Sequence, residues 1–121
     1  MKKVTLTVTM ATAATVLSLF AASASAAGNI ENGKAIVEKN NCASCHGKDF
    51  KSPIDPSYPK LAGQHADYLV EALKGYQRGI DGPNGRGNAT MGAQAKALSN
   101  TDIVDVAAYL HSLPGTLVLQ K

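Results

Sequence analysis

The sequence predicts an all-α domain, on three observations. Apolar residues recur at intervals of three and four in three separate segments, which sets them on one face of a helix. No segment alternates apolar and polar residues as a half-buried strand would. Glycine, proline and asparagine gather between the apolar segments, where a helical chain has to turn.

The elements follow in chain order. Residues 1–26 read as a secretory leader. Lys2 and Lys3 give it a positive start, an apolar stretch runs roughly from Ala11 to Ala22, and Ala24-Ser25-Ala26 fits a small-residue cleavage pattern. Removal after Ala26 is preferred, with Ala24 as the alternative. The apolar stretch is shorter than the about 20 residues that a membrane-spanning helix needs. No second long apolar run follows, so residues 27–121 are expected to form one exported, periplasmic domain without stable membrane insertion.

The first helix is expected from Asn29 to about Asn41. There Ile30, Ala35, Ile36 and Val37 interleave with Glu31, Lys34, Glu38 and Lys39, and Asn29 can cap the start. A second helix is expected from Ala66 to Gln77, on Tyr68, Leu69, Ala72, Leu73 and Tyr76, with Gly79 placed to end it. Gly79 to Thr90, "GIDGPNGRGNAT", reads as a long, mobile loop. Its G-x-x-G-x-G run follows no strand, so it is no nucleotide site. A short helix is expected from Gly92 to Leu98. The last helix, Asp102 to Leu113, carries Ile103, Val106, Ala107, Leu110 and Leu113 as one stripe. Ser99 with Asp102 resembles a capping box, Thr101 is the rival cap, and Pro114-Gly115 stops the helix.

Composition limits what such a domain can do. Lys2 and Lys3 leave with the leader, so the formal charge of +3 falls to +1, ten basic residues against nine acidic. Only two arginines occur, Arg78 and Arg86, and there is no basic run, so nothing supports a nucleic-acid partner. Past the leader there is no Trp and a single Phe, Phe50. A core this thin in so small a domain calls for a staple. Cys42 and Cys45 are the only cysteines, so no disulfide framework is available.

Those cysteines open the stretch "CASCHG". If it is helical, each residue turns about 100°, and Cys42, Cys45 and His46 project within an arc of roughly 100°. Two thiols and an imidazole then face one surface. That suits a flat ring with two vinyl groups and a central iron: C-x-x-C-H is the attachment signature of a c-type haem. A zinc site wants four ligands and finds three. A thioredoxin-like dithiol is expected beside strands, which are missing here.

With His46 on one face of the iron, a partner is needed on the other. Met1 and Met10 leave with the leader, so Met91 is the only thioether, set between Thr90 and Gly92 on the flank of the loop. Met91 is the favoured sixth ligand, with His65 and His111 as the alternatives. Arg78, Arg86, Gln64 and Tyr76 are candidates to meet the haem propionates.

"CASCHG", "YPKLAGQHADYLVEALKGYQRG" and "NATMGAQAKALSNTDIVDVAAYL" together cover most of residues 27–121. They resemble the class I c-type cytochromes of the small single-haem bacterial periplasmic kind, and one half of the two-haem periplasmic carriers. The resemblance implies a small cytochrome c fold, three main helices plus short helical turns wrapped around one covalently bound haem c. It implies an electron-transfer protein rather than an enzyme, exchanging single electrons with redox protein partners such as respiratory complexes. Service as the cytochrome subunit of a periplasmic dehydrogenase or oxidase is the alternative, or a haem enzyme or gas sensor if Met91 detaches. It further implies that Pro59 offers its carbonyl to His46 Nδ1, and that Gly33 and Tyr109 meet where the first and last helices cross.

Overall fold

Side-chain caps set most of the helix starts in the computed structural model, which describes residues 27–116. The leader expected over residues 1–26 lies outside them. Asn29 accepts the N–H of Asn32, and α1 runs Ile30–Lys39. A single turn, α2, spans Ala43–His46. Helix α3, Ala66–Arg78, starts behind His65 and ends at Gly79. Asn88 accepts the N–H of Met91 and opens α4, Ala89–Lys96. The last helix, α5, is Asn100–Ser112. Its capping box is complete: the Ser99 hydroxyl accepts the Asp102 N–H, and the Asp102 carboxylate accepts the Ser99 N–H. No strand occurs among the described residues.

Two expectations need correction. The fourth helix begins at Ala89 rather than Gly92, so Met91 sits in its first turn and not on a loop flank. The Asn88 cap fixes that start, which the weak apolar pattern of the segment does not reveal. Thr101 lies inside α5 and caps nothing.

The closest packing joins α1 to α5. Gly33 is buried there, and a Cβ on it would collide with the Asp105 carbonyl oxygen and stand 2.9 Å from Tyr109 Cβ. The Gly33–Tyr109 meeting expected at this crossing is therefore present. Beside it the buried Asp105 carboxylate accepts the Asn29 backbone N–H at 2.7 Å and the Asn32 Nδ2–H at 2.6 Å. These bonds satisfy a charge that would otherwise be costly to bury. Helix α3 packs on α5 and α4. Val37, Leu69, Val106, Ala107 and Leu110 form the centre of the core. Phe50 joins them edge-on to Tyr109, with ring centroids 6.3 Å apart.

The loops are pinned as well. Phe50 has φ +54°, uncommon for a residue with a bulky side chain, and its carbonyl accepts the N–H of both Leu61 and Ala62. Those bonds fold residues 47–62 back beneath α2. Gln77 Nε2 donates to the carbonyls of Ala95 and Leu98, each at 2.8 Å, tying the end of α4 to α3. Among the described residues no helix is long and apolar enough to cross a membrane.

Candidate functional site

The chain leaves α1 through Asn41, at φ +51°, and enters a helical turn at once. Cys42 has helical dihedrals, and its carbonyl accepts the N–H of Cys45 at 3.3 Å and of His46 at 3.1 Å. The helical geometry assumed for "CASCH" is present. Cys42, Cys45 and His46 all line one cavity of about 360 Å³. The two thiols are half-buried and unbridged. Burial pushes the Cys42 thiol above its ordinary range, with a smaller push from the charge of Cys45. That weighs against a thiol–disulfide oxidoreductase, whose attacking cysteine needs a lowered value.

His46 is only 6% exposed. Its Nδ1 lies 2.9 Å from the Pro59 carbonyl oxygen, the contact expected from the family resemblance. A carbonyl can only accept, so Nδ1 carries a proton, and in the neutral ring Nε2 is then the nitrogen with the free lone pair. Tyr58, which sequence reasoning did not single out, packs beside the imidazole with ring centroids 6.3 Å apart.

Met91 lines the same cavity and is half-buried. His65 and His111 do not line it. Both are exposed and stack on each other, ring centroids 6.5 Å apart, with His111 Nδ1 2.8 Å from the Gln64 carbonyl. Of the propionate candidates, Gln64, Tyr76 and Arg86 line the cavity. Arg78 points away, reaching the Asn84 carbonyl at 3.3 Å and Glu71 at 3.9 Å.

The donor set can be tested against a haem. Apolar side chains from α1, α3 and α5 form the walls, among them Val37, Leu69 and Leu110. Besides His46, the ionisable nitrogen groups on the lining are Lys60 and Arg86, and no carboxylate side chain lines it. An apolar slot with two thiols, one imidazole, a thioether and two cations suits a flat, apolar, dianionic macrocycle. Lys60 carried no signal in the sequence, since an isolated lysine in a loop reads as solvated. Among the described residues no cluster of three or more His, Cys, Asp or Glu could hold a metal by itself.

Comparison with known proteins agrees. The family model described as Cytochrome c matches residues 30–114. Cytochrome c-554(548) of Halomonas halodenitrificans is 44% identical over 72 residues, covering 59% of this chain and 82% of that protein. Cytochrome c4 of Stutzerimonas stutzeri is 39% identical over 98 residues, 78% of this chain and 45% of its own. The crystal structure of reduced recombinant cytochrome c4 from Pseudomonas stutzeri is 36% identical with a TM-score of 0.64, over 74% of this chain and 48% of that one. The chain thus spans less than half the length of these cytochrome c4 relatives, though most of cytochrome c-554(548). By fold, family model and relatives alike, it belongs to the cytochrome c family, among the class I c-type cytochromes.

Proposed function

We propose that residues 27–121, released from the leader, work as a periplasmic one-electron carrier with a single haem c and no enzymatic activity of their own. In this reading Cys42 and Cys45 would hold the haem as thioethers, and His46 and Met91 would be the two protein ligands of its iron. When bound, the haem supplies a reversible one-electron iron couple. The protein's residues do the rest. The Pro59 carbonyl holds the His46 proton on Nδ1, which fixes the tautomer and strengthens Nε2 as a ligand. The walls built from Val37, Leu69 and Leu110 keep water out and favour the less charged reduced iron. A thioether ligand pushes the potential the same way, above that of a bis-histidine site. Lys60 and Arg86 are suited to meet the two carboxylates.

The observation that carries the proposal is the pairing, in one cavity, of a tautomer-fixed His46 with Met91. With His46 and Met91 both held for the iron, the site would leave no position for a substrate and would support electron exchange alone. The partners are redox proteins that dock briefly, respiratory complexes among them. The near-neutral charge of residues 27–121 gives them little long-range steering. Met91→Ala is the test. The reduced variant should bind carbon monoxide readily while the wild type does not, and the weak sulfur-to-iron band of the oxidised protein should vanish. A wild type that takes up carbon monoxide as fast as the variant would replace the carrier with a haem enzyme or gas sensor.

A further inference from the structure

Residues 79–88 lead from α3 to the helix that carries Met91, and composition alone makes them a floppy connection. In the structure one residue fastens them to α3 in three ways. The Arg86 N–H donates to the Gly75 carbonyl at 2.9 Å. Its guanidinium lies over two rings of α3, 5.3 Å from the centre of Tyr68 and 5.7 Å from that of Tyr76, with long contacts of 3.4 Å to the Tyr68 hydroxyl. Its aliphatic stem rests in the notch left by Gly75. A Cβ there would stand 3.1 Å from Arg86 Cγ and 3.2 Å from the Asn84 carbonyl oxygen.

The other ties on this segment are weaker. Gly82 bonds back to Gly79 and Gly85 to Gly82, turns that hold the segment only to itself. Arg78 adds a single 3.3 Å bond to Asn84. Two residues beyond Arg86, Asn88 accepts the Met91 N–H at 2.9 Å, so a displaced Arg86 carries the helix cap with it. The far end of α4 is fixed separately by Gln77. Freedom to move Met91 therefore lies at the Arg86 end.

We infer that Arg86 is the latch that keeps Met91 in the cavity: a positioning residue that sets how readily the sixth iron position opens. The inference rests on the proposed ligation by Met91. Gly75 is the socket of the latch, and Tyr68 and Tyr76 are its faces.

The test uses the holoprotein with Arg86→Ala, Arg86→Lys and Gly75→Ala. Lysine keeps the charge but loses the planar group that covers both rings. Gly75→Ala attacks the same contact from α3 and leaves the arginine in place. Amide exchange over residues 82–88 and the rate of carbon monoxide uptake by the reduced protein are the readouts. Arg86→Ala and Gly75→Ala should each speed both at least tenfold, which is about 1.4 kcal/mol of local opening. Arg86→Lys should lie closer to Arg86→Ala than to wild type. If Arg86→Ala does not accumulate folded, the other two variants carry the test. Folded variants within twofold of wild type on both readouts overturn the latch. A wild type without the sulfur-to-iron band overturns the Met91 ligation and this inference with it. A wild type with the band, and folded variants within twofold of it on both readouts, overturn the latch alone.

Discussion

Replacing Gly33 by alanine should be costly for a one-carbon change. The added Cβ would overlap the Asp105 carbonyl oxygen, and it would stand 2.6 Å from the carbonyl carbon and 2.9 Å from Tyr109 Cβ. Non-bonded carbons settle at about 3.5–4.0 Å, so α1 and α5 have to part by about 1 Å. Overpacking of this kind costs about 1–3 kcal/mol. The same movement stretches the 2.7 Å and 2.6 Å bonds that Asn29 and Asn32 donate to the buried Asp105 carboxylate. Hydrogen bonds to a charged group contribute about 1.5–3 kcal/mol each. Losing part of each adds about 2 kcal/mol, while alanine's better helix propensity returns about 1 kcal/mol. The net loss is about 3 kcal/mol, against a total of about 5–15 kcal/mol for an ordinary domain. Denaturant unfolding of the holoprotein, followed by helical circular dichroism, measures it. A loss below about 1 kcal/mol would show that the crossing yields without strain, and the reasoning from close approach would fail.

Two further outcomes follow from the same contacts. Cys42→Ala/Cys45→Ala should give a chain without covalent haem and without a cooperative thermal transition, because the apolar body that fills the cavity is no longer held; a sharp transition by circular dichroism would contradict this. Acid should weaken the fold through three carboxylates held below their ordinary range: Asp102 by the N–H and then the hydroxyl of Ser99, Asp49 first by the Lys51 N–H, and Asp55 first by the Ser57 hydroxyl. A lowered folded value stabilises fully above the unfolded carboxylate value of about 3.9, and the contribution disappears as pH falls through the folded value. Asp102→Asn should therefore unfold at lower denaturant than wild type at neutral pH, and the gap should close in strong acid. A gap that is the same at both ends of the titration would rule out the carboxylate as its source.

Much of the site is legible in the sequence because its chemistry is contiguous there. Cys42, Cys45 and His46 lie within five residues, and one helical turn brings them to one wall. The ends of α1, α3 and α5 are legible for a similar reason: Asn29, Gly79 and the Ser99–Asp102 pair are local signals. What escaped depends on contacts between distant residues. Asp105 lies off the apolar stripe of the last helix, about 100° round from Val106, where a charged residue is ordinarily solvated. It is buried because Gly33 lets α1 approach and because Asn29 and Asn32, more than 70 residues earlier, meet its oxygens. The glycines of residues 79–88 suggest mobility, and nothing local marks the meeting of Arg86 with Gly75, Tyr68 and Tyr76 that fastens them to α3. The start of α4 hangs on the single side chain of Asn88. Pro59 is a different case, since nothing in its own neighbourhood marks its carbonyl as a partner for His46 and the expectation came from family resemblance.

The most direct measurement is the intact mass of the exported protein, matured in a host that attaches haem and then unfolded in acid. Attachment through Cys42 and Cys45 requires the mass of residues 27–121 plus one haem, with the added mass persisting after extraction by acidified acetone. A bare polypeptide mass, or haem that washes away on extraction, would contradict it.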